Sequence, residues 1–262
     1  MRALFVVLVA VFSTIPAWAL TQAETLLDVR ATFMREVGGV VVDESYQKDL
    51  VHQAEDLVHK NQARFGSSQF FLLVDRDHAI QKAFLAFYDA AGKNVLLIGA
   101  DNVSTGDPKR RGHFETPVGV FENNPSNMSY RALGTKNKVG WRGFGSKGSR
   151  VWDLGWQRTI RGRGEPMDIR MLIHATDPDF GESRLGTVQS KGCIRISARF
   201  NRFLDRYGIL DRAYEENMKA RYVLSSARNT IPFAGQFVVV IDSGKSQPAS
   251  AEAGFHITKA PA

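Results

Sequence analysis

The stretch from His174 to Arg195, HATDPDFGESRLGTVQSKGCIR, decides how the rest of the chain is read. It is entered from the apolar run Met171-Leu172-Ile173, so His174 falls where a strand gives way to a loop. Fifteen residues, 175–189, then lead to Ser190-Lys191-Gly192-Cys193, a small and flexible turn, and Arg195 lies two residues past the cysteine. A free thiol is a weak nucleophile until it ionises, at a pKa of about 8.5. An imidazole within hydrogen-bond reach can take that proton and return it to a leaving amine. Lys191 and Arg195 would favour the thiolate, and Gly192 would let backbone approach a substrate closely. The N–H groups around Gly192 and Cys193 are candidates for an oxyanion hole, with Ser190 bonding near the reacting centre. A His and a Cys also coincide by chance, and a lone cysteine is by default buried and inert. The pair needs support from outside the stretch.

The N-terminus supplies some. Met1-Arg2 precedes an apolar run from Ala3 to Phe12, then Pro16 and Ala17-Trp18-Ala19. A charged start, a short apolar stretch and an A-x-A site read as a signal peptide over residues 1–19, cleaved after Ala19. The run falls short of the roughly 20 residues a membrane span needs. Export to the periplasm or cell envelope is therefore expected, without a stable membrane anchor. Oxidising compartments pair thiols or eliminate them, and Cys193 is the only cysteine of the 262 residues. This excludes an internal disulfide framework and a multi-cysteine zinc site. No HExxH occurs, so a zinc peptidase is disfavoured and no metal or cofactor is expected. The net charge of +7, lowered by one when Arg2 is removed, suits an anionic envelope surface. An exported chain seldom meets nucleic acid, so none is expected as partner.

Composition is that of a globular protein, 44% apolar and 23% charged. Residues 20–66 read as a helical segment. Leu50, Val51, Ala54, Leu57 and Val58 recur at helical spacing between a candidate cap at Asp43 and a stop at Gly66. His52 and His59 fall on roughly one face of it, where solvation is the ordinary role. Strands are expected at 69–74, 82–88 and 94–99, with a hairpin turn at 89–93, and at 116–122, 167–174 and 236–242. Residues 123–148 read as loop, and 198–207 as a short helix with Phe200, Phe203 and Leu204 on one side. One strand-rich domain over 67–242 follows, packed by the helical segment, with a disordered tail at 243–262. The oligomeric state is not readable.

With these pieces placed, the chain resembles the L,D-transpeptidase catalytic domain, or YkuD, family. That signature is a His, some fifteen residues, then Ser/Thr-x-Gly-Cys, commonly followed by an aliphatic residue and Arg. Ser190-Lys191-Gly192-Cys193-Ile194-Arg195 matches it, as do Ser104-Thr105-Gly106 and Thr116-Pro117-Val118-Gly119-Val120-Phe121 upstream. Two departures stand out: Lys191 where many members carry His, and Ala175 after the histidine where Gly is common. The resemblance implies an α+β fold, mainly β with short helices: a β-sandwich catalytic domain preceded by the helical segment.

The resemblance also implies a reaction. Cys193 would attack the carbonyl of the third residue of a peptidoglycan stem peptide, with His174 as base and then acid. D-alanine would leave, and an amine of a neighbouring stem would accept the acyl group. Ser190, Lys191, Gly192 and Arg195 would shape the oxyanion and substrate surface. A third group should orient His174, either Asp177 or a backbone carbonyl. The basic loop Lys109-Arg110-Arg111-Gly112-His113 could hold stem carboxylates, and Trp141, Trp152 and Trp156 could line a sugar groove, although packing is their commoner role. Capture of the same thioester by water would make an L,D-carboxypeptidase or hydrolase. A non-catalytic wall-binding protein is a third reading. Residue types alone do not choose between 3–3 and 1–3 links.

Overall fold

The computed structural model of the chain describes residues 17–161 and 164–244, with side chains from residue 21. The bulk of the expected signal peptide and of the tail therefore lies outside the described residues. Three helices come first: α1 (Ala17–Glu36), α2 (Glu44–Lys60) and the single turn α3 (Gln62–Phe65). No described helix is long and apolar enough to cross a membrane. Asp43 starts α2 by accepting from the N–H groups of Ser45 (2.9 Å) and Tyr46 (3.1 Å), which would otherwise lack partners. Leu50, Ala54 and Val58, one turn apart, are its buried stripe. The helix breaks at Asn61, earlier than the apolar spacing implied, and resumes as α3 up to Gly66.

Among the described residues, nine strands form two sheets. The first has the order β3 (Asn94–Asn102), β2 (Lys82–Asp89), β1 (Gln69–Asp75), β9 (Phe237–Ile241), β4 (Gly119–Glu122). The second runs β5 (Tyr130–Arg131), β6 (Arg150–Arg161), β7 (Glu165–Ala175), β8 (Ile194–Ile196). Within them β1–β9 and β7–β8 are parallel pairs and the others antiparallel. The fold is thus α+β and mainly β, with a helical lead-in. Strand β1 is buried along its whole length because it is covered on both faces. Phe70, Leu72 and Val74 join the core between the sheets, which also takes Trp152, Met171, Ile173, Ile194 and Ile196. Phe71 and Leu73 point the other way, under Leu50, Ala54, Val58 and Phe65 of α2 and α3. Helix α1 closes the core from one side, with Phe33 edge-on to Phe200 and Phe203 at 5.3 and 5.4 Å. Those two rings lie on α4 (Ala198–Tyr207), which is capped by Ser197 and ended by Gly208 at φ +63°.

Two expectations change, and one strand is added. The segment 116–122 is extended only from Gly119, because Pro117 has no N–H for a ladder and Thr116 is bonded elsewhere. The loop at 123–148 contains the two-residue strand β5. Strand β6 was not readable from apolar alternation. A bulge between Asp153 and Trp156, with Gly155 at φ +78°, shifts its period, and two of its buried residues, Arg150 and Asp153, are charged.

Candidate active site

Alternation along β7 sends Met171 and Ile173 into the core and leaves Arg170, Leu172 and His174 on the outer face of the second sheet. One rung crosses that face: Tyr130 of β5 opposite Val151 of β6, Val151 opposite His174, and His174 opposite Arg195 of β8. Cys193 lies two residues before Arg195, so it is the diagonal neighbour of His174 on the adjacent parallel strand. It packs against Ala132, Val151 and Leu172, and its Sγ lies 3.9 Å from the carbonyl oxygen of Arg170. The structure thus brings the sequence-predicted Cys and His to one surface.

The two N-terminal motifs hold the cysteine turn from behind. Ser104 and Arg195 exchange both backbone hydrogen bonds at 2.9 Å, and the N–H of Ser190 donates to Thr105 O at 2.9 Å. Thr116 Oγ1 accepts from the N–H of Gly106 (2.9 Å) and donates to Gly192 O (3.0 Å). Buried Gln81 locks Thr105 through its backbone and hydroxyl. Within the turn, Ser190 Oγ donates to Cys193 O (2.6 Å) and accepts from the N–H of Gly192 (3.0 Å). The Gly192 N–H is therefore engaged within the turn. Lys191 is exposed. His113 Nδ1 lies 2.9 Å from Ser190 O, so this residue of the basic loop braces the same turn.

Gly106 explains why the motif needs a glycine. A Cβ there would overlap the Phe114 carbonyl oxygen and lie 2.9 Å from Gly192 Cα. We predict that Gly106→Ala displaces the cysteine turn and lowers turnover about 10²-fold while the protein still folds, as read by kinetics alongside circular dichroism.

His174 is 2% exposed. Its Nδ1 lies 2.8 Å from the Ala175 carbonyl oxygen. A carbonyl only accepts, so Nδ1 carries the proton and Nε2 is the free base. The orienting group is thus a backbone carbonyl. Asp177 instead organises the following loop, accepting from the N–H groups of Arg142 (2.6 Å), Asp179 and Phe180 (2.9 Å each). The same loop system brings Phe144 edge-on to His174, with ring centroids 4.9 Å apart. Sequence reading missed Phe144, Gln81 and the ion pair of Arg170 with Asp153 (2.7 Å), because each acts through tertiary contact only.

Burial lowers the His174 pKa to about 4, with the Arg195 charge adding to it, and burial raises that of the Cys193 thiol. Neutral thiol beside neutral imidazole is therefore the resting state at neutral pH. A second consequence concerns stability. An unfolded His protonates near pH 6.5, whereas the folded one stays neutral down to about 4. The unfolded state binds the extra proton in that window, so stability falls as pH drops through it, by about 3 kcal/mol at most. Urea melts between pH 7.5 and 4 should show this slope in the wild type and a flatter one in His174→Phe.

The three tryptophans separate. Trp152 is core, Trp141 is half-buried under Arg184 (5.4 Å), and Trp156 is exposed on the β6–β7 hairpin. His52 is exposed, and His59 Nε2 sits 2.9 Å from Lys93 O. Among the described residues no group of three or more His, Cys, Asp or Glu is placed to hold a metal ion.

No curated protein sequence matches the chain. Among solved structures, Bd1075 of Bdellovibrio bacteriovorus is similar at 16% identity and a TM-score of 0.32, over 68% of this chain and 48% of that one. The chain thus spans about half the length of the Bd1075 chain. A family model described as YkuD, L,D-transpeptidase catalytic domain, matches residues 70–212. That range is more than half of the chain and contains both motif segments, β7 and the cysteine turn, so the chain belongs to the L,D-transpeptidase catalytic domain family.

Proposed function

We propose that this protein is an exported peptidoglycan L,D-transpeptidase that works through a thioester on Cys193. The observation that carries the reading is the diagonal placement of Cys193 and His174 on adjacent strands of one face, with His174 Nε2 free to act. The Cys193 sulfur adds to the carbonyl of the third stem residue while its proton passes to His174. The oxyanion forms against the Cys193 N–H, in a turn shaped by Ser190 and Gly192. Collapse breaks the C–N bond, the His174 proton goes to the departing D-alanine amine, and the thioester remains. An amine of a second stem then attacks the thioester, and Cys193 leaves as thiol with the proton returned through His174. Because the resting thiol is neutral, general-base removal of its proton accompanies attack. Arg195 and exposed Lys191 contribute positive charge around the substrate.

In this reading residues 1–19 are the signal peptide, 20–66 a helical segment buttressing the catalytic domain, and 67–242 that domain, located in the periplasm or envelope. Incubation of the purified protein with disaccharide-tetrapeptides and mass spectrometry of the products tests it. Cross-linked dimers are expected, and their sequence tells a 3–3 from a 1–3 link. Tripeptides alone would make the protein an L,D-carboxypeptidase, and unchanged substrate would leave a wall-binding role.

A further inference from the structure

Trp156 faces the active-site side of the molecule because of a bulge. Upstream on β6, Trp152 and Leu154 point into the core between the sheets, and strict alternation would send residue 156 there as well. The extra residue between Asp153 and Trp156 reverses the alternation, so Trp156 stands opposite Arg170 on the outer face that carries His174. The bulge is fastened in place. Gly155 takes φ +78°, its N–H donates to Asp153 Oδ1 at 2.9 Å, and a Cβ on it would lie 2.7 Å from Asn127 Nδ2. Asp153 in turn holds the Arg170 guanidinium at 2.7 Å. The indole that this arrangement turns outward is 65% exposed, whereas tryptophan is on average highly buried.

The ladder fixes its position relative to the nucleophile. Cys193 Sγ lies 3.9 Å from the carbonyl oxygen of Arg170, on the β8 side of β7, and Trp156 is the residue opposite Arg170 on the β6 side. Sulfur and indole are thus about two strand spacings apart, or about 10 Å. In the acyl-transfer reading the third stem residue is at the sulfur, and a stem peptide is joined to its sugar through the first. Three extended residues span about 10 Å. A stem laid from Cys193 across Arg170 therefore brings its sugar over Trp156. One face of a pyranose ring presents C–H groups, which the negative face of an indole attracts. The exposed Arg158–Asp168 pair, the next rung of the same face at 3.2 Å, offers hydrogen-bond partners to sugar hydroxyls. We propose that Trp156 is the stacking platform for the sugar that carries the donor stem peptide. The enzyme then prefers glycan-borne stems to free peptides. The inference rests on the acyl-transfer reading above and extends it to the part of the donor remote from the reacting bond.

Calorimetry on the Cys193→Ala protein, which lacks the nucleophile, tests the platform without turnover. The probes are a disaccharide-tetrapeptide and the same tetrapeptide without its sugars. The glycan-borne peptide is expected to bind about tenfold tighter. In that background Trp156→Ala is expected to lower affinity for the disaccharide-tetrapeptide to that for the free peptide, and Trp156→Phe to retain part of the preference. Equal binding of the two probes, no binding of the disaccharide-tetrapeptide, or a preference that survives Trp156→Ala would each overturn the proposal. So would an equal loss for both probes in Trp156→Ala, which marks a structural role in the hairpin. Turnover is scored separately on the wild type. Failure to convert either probe counts against the acyl-transfer reading, whereas the binding ratio alone decides the sugar platform.

Discussion

Cys193→Ala should lower turnover of disaccharide-tetrapeptides by about 10⁴-fold or more, the scale seen when a covalent nucleophile is removed. The protein should remain folded. The side chain is small and packs on the outer face of the second sheet against Ala132, Val151 and Leu172, away from the core between the sheets. Intact-protein mass spectrometry after incubation with a carbapenem gives a second readout: an adduct on the wild type and none on the variant. Activity that survived the substitution would disprove the nucleophile assignment. His174→Gln should be milder, about 10²- to 10⁴-fold, because it removes general-base assistance but leaves the thiol and the Cys193 N–H in place. The pH dependence should also be distinctive. With the thiol raised and the imidazole lowered by burial, the resting site holds no thiolate–imidazolium pair. Alkylation by iodoacetamide should therefore rise with pH above neutrality, with no reactive plateau on the acid side.

The largest effect on stability is expected at Asp211, far from any reacting atom. Arg150 at the start of β6 is fully buried, and its Nη2 lies 3.0 Å from Asp211 Oδ1. The same oxygen accepts from Trp152 Nε1 and Asn123 Nδ2, both at 3.3 Å. The guanidinium is also sandwiched by the rings of Trp152 and Tyr214, at 5.7 and 5.0 Å. Desolvation is incompletely offset. Arg150 Nε and Nη1 and Asp211 Oδ2 lack hydrogen-bond partners, and burial raises the Asp211 pKa in spite of the adjacent cation. Asp211→Ala removes the close partner of the buried guanidinium, leaving only Asp205 Oδ1 at 4.0 Å from its Nε, and should cost about 3 kcal/mol, measured by urea unfolding. The double variant Arg150→Met with Asp211→Leu should recover most of that loss, since it removes both charges and keeps volume. A double variant as unstable as the single one would show that the pair contributes more than it costs to bury.

These cases mark how far one-dimensional reading reaches. Short-range pattern located α4 by apolar residues at helical spacing, and β1, β2 and β9 by continuous apolar runs of strand length. It failed on β6, whose bulge breaks the period and whose buried charges, Arg150 and Asp153, meet their partners Asp211 and Arg170 only through the fold. Thr116 is legible in the sequence as part of a motif, but its purpose as a pin between Gly106 and Gly192 follows only from the packing of three loops. The orienter of His174 was open between a carboxylate and a carbonyl until the Ala175 oxygen was seen at 2.8 Å. By itself the sequence determined the family, the mainly-β class and the pairing of His174 with Cys193 as candidates, since those follow from residue types at set spacings. Only the tertiary structure decided which atom of the histidine is free, how the Ser190 hydroxyl ties up the Gly192 N–H, and how Thr116 pins Gly106 to Gly192. Those depend on which distant segments share a ladder, and the electrostatics of a site depend on distances in space.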